Sequence, residues 1–366
     1  MASPCRTTAG SLAAALLVGA ALAGLLRAGV ARADGFDSGT DAYDVARVVP
    51  IVERAHAYLA AQQRADGSFS VDRSSASRSA PVGVTAIAAL SFMAAGNTPN
   101  RGAYQTQVRR AIDWLVQRCD DDGYFYFDGD STSKMHGQGY GLLALVQAYG
   151  MYGSERERER LGDAIRRAID LIERTQGVTG GWYYEPKRQP DHENSITVCL
   201  LQALRAARDA GFEVDVDLIR RAESYVIRSQ DPEDGRFRYG LNDPHKSWEL
   251  TAASLSTLHA VGDYGSEPLE RGFDALQKYD PYLDGTMGGS RVNFPYYGAL
   301  YAAQAYWTYH DERLFERWWP RFVAWCQEEQ EPDGSFDNGV FGSVYGAAMV
   351  SLALQVPLGY LPVFQR

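Results

Sequence analysis

Gln63-Arg64-Ala65-Asp66-Gly67-Ser68-Phe69 is a short stretch that returns in altered form along the whole chain. Later copies end in Asp122-Gly123-Tyr124-Phe125, Gly180-Gly181-Trp182, Asp234-Gly235-Arg236-Phe237 and Asp333-Gly334-Ser335-Phe336, with a weaker one at Asp284-Gly285-Thr286-Met287. The first glycines stand at 67, 123, 180, 235, 285 and 334, so the spacing is 49 to 57 residues. A near-constant period of this size points to an array of supersecondary units, each too small to bury its own apolar face alone.

The segments between the glycine motifs fall into two kinds. Those before each motif, at 48–63, 101–118, 157–176, 218–230, 267–278 and 313–330, carry apolar residues at helical spacing with Arg, Glu and Asp between them. That is the pattern of a helix with one wet face. Pro50 falls in the first turn of the first of these, where proline is tolerated. Those after each motif, at 82–95, 137–149, 195–210, 247–261, 296–309 and 344–354, are apolar nearly all round, as in Thr85-Ala86-Ile87-Ala88-Ala89-Leu90. Such helices are buried. The expected fold is therefore all-α: an (α/α)6 toroid of six helix hairpins, charged helices outside and apolar ones inside, with an open superhelix as the alternative. In the motif, glycine supplies a positive φ where the outer helix ends. The aromatic after it packs toward the next unit, and the Gln side chain satisfies nearby backbone.

At these residues the chain resembles the prenyltransferase and squalene oxidase repeat proteins, the superfamily of squalene–hopene cyclases and protein prenyltransferase β subunits. The resemblance covers nearly all of residues 45–354 and implies a toroid whose inner helices line a central cavity. The closing stretch from Tyr345-Gly346-Ala347-Ala348 to Gln355-Val356-Pro357 is similar to that of secreted, mostly uncharacterised bacterial members. Cyclases of the superfamily carry Asp-x-Asp-Asp-Thr at the start of an inner helix. Here Glu193-Asn194-Ser195-Ile196-Thr197 matches by register but lacks the following acids, and Ser247-Trp248-Glu249-Leu250-Thr251 keeps only Glu249 at the central position. The Asp-x-Cys zinc pair of protein prenyltransferases and the Asp-Asp-x-x-Asp diphosphate motif do not occur. No metal or cofactor is expected.

In a toroid the turns entering the inner helices gather at one mouth. The polar residues there are His136, then His192, Glu193 and Asn194, then His245, Trp248 and Glu249, then Tyr296 and Tyr297, then Tyr345. Glu193 and Glu249 are the candidate acid and base, and the aromatics a stacking floor for a small hydrophobic, isoprenoid-like or glycan ligand. Paired carboxyls beside aromatics suit glycoside cleavage. The structural alternative is that Glu, Asn and Ser at helix starts are caps. A third reading is a scaffold for protein partners. Asp120, Asp121, Asp122, Asp128 and Asp130 read as a solvated acidic turn, and the alternating charges of 156–160 as a solvated helix start.

Residues 1–33 read as an export signal: Arg6, an uncharged Ala/Leu/Gly/Val run over 9–26, and Ala31-Arg32-Ala33 at the cleavage site. An uncleaved anchor at a membrane is the alternative. Residues 34–44 form a polar, flexible leader, and 45–366 the toroid domain. With 36 basic and 46 acidic side chains the chain has a net charge of −10. It becomes more negative once Arg6, Arg27 and Arg32 of the export signal are gone, which excludes nucleic acid as a partner. Cys119, Cys199 and Cys326 are widely spaced within helical patterns and read as buried free thiols. Intact-mass measurement of the exported protein should give an N-terminus at Asp34; a chain retaining residues 1–33 in the membrane fraction would instead establish the anchor.

Overall fold

The computed structural model describes residues 45–69, 77–128, 134–190, 192–287 and 292–365. The signal segment, the leader, Asp130 and Asp191 lie outside them. The elements alternate in the expected way. The outer helices are α1 (Val45–Gln62), α3 (Gln105–Arg118), α5 (Glu155–Thr175), α7 (Val216–Arg228), α9 (Glu267–Lys278) and α11 (Glu312–Glu329). The inner ones are α2 (Pro81–Ala94), α4 (Lys134–Tyr149), α6 (Asn194–Asp209), α8 (Trp248–Ala260), α10 (Pro295–Thr308) and α12 (Ser343–Ala353). Every residue of α2 is buried, whereas α7 buries only one stripe, Leu218, Ile219, Ala222, Tyr225 and Val226.

Each inner helix packs on the next, and α12 packs back on α2, so the ring is closed. This excludes the open superhelix. The seam is hydrogen-bonded as well as packed. Gln330 Nε2 donates to the Ile51 carbonyl at 2.9 Å, and Arg47 donates to Gln327 Oε1. Deeper at the same seam, His56 of α1, Ser91 of α2 and Ser351 of α12 form a buried hydrogen-bonded chain. The C-terminal segment crosses the end of the ring where the inner helices finish, with Val363 N donating to Gln147. The cavity therefore opens at the other end, among the turns that enter the inner helices.

The glycine motif acts as a joint between neighbouring pairs. Gln63, Gln176, Gln230 and Gln330 each donate from Nε2 twice: once to the motif glycine's carbonyl or its equivalent in the same turn, and once to a carbonyl of the next outer helix. In the second copy the Cys119 thiol takes this place, reaching the Ala164 carbonyl at 3.5 Å. The glycines are required twice over. Gly180 has φ of 97°, and a Cβ there would sit 2.2 Å from the Arg221 carbonyl oxygen; Gly67, Gly123, Gly235 and Gly334 meet the next outer helix in the same way. Gly285 also has a positive φ, but nothing stands near it.

Several details differ from expectation. Helix α1 begins at Val45, so Pro50 is interior to it, as Pro320 is to α11. Both prolines are exposed, where water can solvate the carbonyl each leaves unpaired. A two-stranded hairpin, β1 (Arg238–Gly240) with β2 (Asp243–Lys246), stands before α8. The charged start of α5 is more than a solvated face, because Glu157 and Arg160 pair with Arg109 and Asp113 of α3. The three cysteines of the domain are buried and free. No helix among the described residues is long and apolar enough to cross a membrane.

In denaturant titrations, Gly180→Ala should lose roughly 3 kcal/mol or more, since strain and a backbone clash combine. Gly285→Ala should lose only about 1–2 kcal/mol, the cost of a left-handed L-residue. Equal losses would contradict the joint.

Candidate functional site

The inner helices enclose a central cavity of about 210 Å³. Six of the residues singled out from sequence border it: Glu193, Glu249, His136, His245, Tyr297 and Tyr345. Four do not. His192 turns away into the third glycine turn, where its ring bonds Thr179 and the Gln189 carbonyl. It fills the space over Gly177, at which any Cβ would strike it. Asn194 is buried between inner helices, donating to Ser254 Oγ. Trp248 points outward and donates from Nε1 to Asp280. Tyr296 donates to the Asp337 carbonyl at 2.6 Å. These four hold the frame; the reading of them as ligand contacts gives way to that geometry.

Glu193 is placed by the joint before it. Its backbone N–H bonds the carbonyl of Trp182, the motif aromatic, and its side chain caps α6. Oε1 accepts from Ser195 N at 3.0 Å; Oε2 accepts from Ser195 Oγ at 2.7 Å and Ile196 N at 2.8 Å. The capping expectation is thus met by a residue that also borders the cavity. Burial raises its pKa to about 7, against the three hydrogen bonds that favour the charged form.

Glu249 is held differently. Ser247, not Glu249, caps α8. Glu249 reaches forward to the next pair, where Oε1 accepts from Asn293 N at 2.8 Å and Phe294 N at 3.0 Å. Its Oε2 is buried and has no hydrogen-bond partner among the described residues. Neither Glu193 nor Glu249 is in an ion pair there. His136 stands at the start of α4, and burial lowers its pKa to about 4, so it is a neutral imidazole at pH 7.

The rest of the wall was not anticipated. Ala80, just before α2, and Gly83, Val84 and Ile87 of α2 make an aliphatic strip. Tyr140 lies one turn beyond His136, and helical spacing from that residue would have found it. Tyr184 and Tyr239 meet hydroxyl to hydroxyl at the mouth. Tyr239 arrives on the unanticipated hairpin, so no pattern in the sequence pointed to it. Phe294 and Phe341 complete the rim, with Arg78 and His245 exposed beside it. Among the described residues, no three His, Cys, Asp or Glu side chains converge as a metal site would need.

No protein-family model matches the chain, and no curated protein sequence matches it. Solved structures do share its architecture. A glycosidase variant in complex with glucose superposes with a TM-score of 0.60 at 15% identity, over 90% of this chain and 100% of that one. Cellobiose 2-epimerase from Bacillus thermoamylovorans gives 0.60 at 14%, over 82% and 95%. A type II terpene cyclase from Scytonema, in complex with geranylgeranyl dihydroxybenzoate, gives 0.57 at 15%, over 87% and 99%. The chain shares the all-α toroid fold of these structures.

The raised pKa of Glu193 sets a sign for pH dependence. A buried carboxyl that holds its proton when the unfolded chain does not stabilises fully below pH 4.5, and this is lost as pH rises to about 7. Measured from pH 5 to 8, the unfolding free energy of the wild type should fall relative to Glu193→Gln by roughly 2–3 kcal/mol. A flat difference would remove the pKa shift.

Proposed function

We propose that this is an exported binding protein whose central cavity holds a small hydrophobic, isoprenoid-like ligand. The observation that carries the reading is the balance of the wall. Helix α2 offers only aliphatic surface. Around it stand aromatic rings whose hydroxyls are largely engaged: Tyr184 with Tyr239, and Tyr140 with Tyr301 at 3.4 Å. An apolar ligand gains from such burial at about 25 cal/mol per Å². A sugar would have to bury many hydroxyls against few free partners, at a cost for each. The resemblance to terpenoid cyclases agrees with an isoprenoid-like occupant, while Glu249, alone at the central position of the cyclase motif, lacks the supporting acids of that family. The apolar run and small residues of 1–33 support export.

A second reading is favoured by one observation. Two carboxyls, Glu193 and Glu249, border the same cavity, and the first is poised near neutrality. Such a pair is what acid–base cleavage of a glycoside or rearrangement of an isoprenoid would use. A scaffold role finds less support: among the described residues the exposed large hydrophobics, Tyr126, Val178, Tyr264 and Phe294, come from four separate loops.

Native mass spectrometry of the protein purified from its own cell envelope, followed by solvent extraction, tests the first reading. An apolar molecule should co-purify with the wild type and be lost from Ala80→Trp, which blocks the mouth. An empty cavity contradicts it. A bound oligosaccharide turned over by the wild type, and not by Glu193→Gln or Glu249→Gln, would establish the second.

A further inference from the structure

Hydrogen-bonding capacity in the cavity wall is unevenly spent. Both oxygens of Glu193 are satisfied by Ser195 and Ile196. The hydroxyls of Tyr140, Tyr184 and Tyr239 are paired with other tyrosines. Two polar atoms of lining residues are buried with no hydrogen-bond partner among the described residues: Glu249 Oε2 and the Tyr297 hydroxyl. They belong to adjoining structure. The chain entering α10 donates Asn293 N and Phe294 N to Glu249 Oε1. One residue past Tyr297, Gly298 lets α10 approach so closely that a Cβ there would lie 2.8 Å from Glu249 Cγ. The two backbone donors fix the carboxyl and leave its second oxygen as an acceptor without a donor.

A buried acceptor left unmade is costly, and in a folded protein it calls for an explanation. Resting on the proposal of an apolar ligand, we infer that this ligand carries a single hydrogen-bond donor, a hydroxyl or an amine, which is received by Glu249 Oε2. The apolar body then lies along Ala80, Gly83, Val84 and Ile87, across the ring from α8. A phosphate or carboxylate head does not suit this end of the cavity, because a carboxyl oxygen that accepts offers no donor to it. Arg78 could meet such a head only at the rim, where its donors are already exposed to water.

The test is titration calorimetry on the full protein with three probes that share one chain: farnesol, farnesylamine and farnesyl methyl ether. The ether keeps the oxygen and lacks the donor. For the wild type, the alcohol or the amine should bind about ten- to a hundredfold more tightly than the ether, the range set by leaving a buried acceptor unsatisfied. A larger gain for the amine would identify a cationic donor, and one for the alcohol a neutral donor. In Glu249→Gln this preference should fall below about threefold, with the affinity for the ether nearly unchanged. An ether that binds the wild type as tightly as the alcohol overturns the inference while leaving the apolar-ligand reading intact. So does a Glu249→Gln variant that weakens all three probes equally, since that marks a merely structural carboxyl. If none of the three binds, the apolar-ligand reading fails and this inference with it.

Discussion

The joint at each glycine turn is the contact on which the rest of the molecule depends. A Gln side chain, or the Cys119 thiol in the second pair, reaches from the end of one outer helix to a carbonyl of the next. A glycine beside it lets the next outer helix come within van der Waals reach. No single outer helix could bury its stripe alone, and a short isolated helix is marginal in water. The joint sets the angle between successive pairs. After six pairs the last joint, Gln330 with Gly334, falls on Ile51 and Arg54 of the first helix. A chain of hairpins becomes a ring because its final joint finds the first helix in the place where an ordinary neighbour would stand.

Closure forces the cavity. Six buried helices round an axis leave space at their entrances that small residues cannot fill, and tyrosines and carboxyls from separate pairs are brought to one wall. The fifth joint departs from the rule and shows how tightly the frame and the site are interwoven. There Gln277 meets Arg317 of the next outer helix but donates back to the Phe273 carbonyl instead of to the turn; buried Asp280 accepts from Tyr282 N and Leu283 N of the turn, from Trp248 Nε1 of α8 and from Tyr306 of α10. Burial pushes its pKa up to about 7. Trp248 serves that joint, and its neighbour Glu249 is thereby set at the cavity.

The fold was legible because its signals are local and multiply stated. The gap between glycines, the charge on the outer helices and the small apolar runs of the inner ones all predict the same alternation, and the helices lie within a few residues of the expected bounds. The site was legible only in part. Sequence position shows that a residue sits at the mouth, but not to which side its ring or carboxyl turns. Glu193 and Glu249 were found because acids at the head of an apolar helix stand out. His192, Trp248 and Tyr296 stood out equally, yet each turns to a structural partner: Thr179, Asp280 and the Asp337 carbonyl. Tyr184 and Tyr239 were missed because they come from a turn and a hairpin with no helical period to register them. The aliphatic strip of α2 was missed because a small-residue run looks the same whether it faces a neighbouring helix or an open space.

Native-state hydrogen exchange tests ring closure most directly. A linear stack frays from its ends, whereas a closed ring has none. The account predicts that backbone amides of α1 and α11, such as those of Ala55, Leu59, Phe322 and Val323, are protected as strongly as amides of α5 and α7, and that they exchange only through global unfolding. Protection that is highest in α5 to α8 and falls away toward both α1 and α11 would contradict closure, and with it the enclosed cavity.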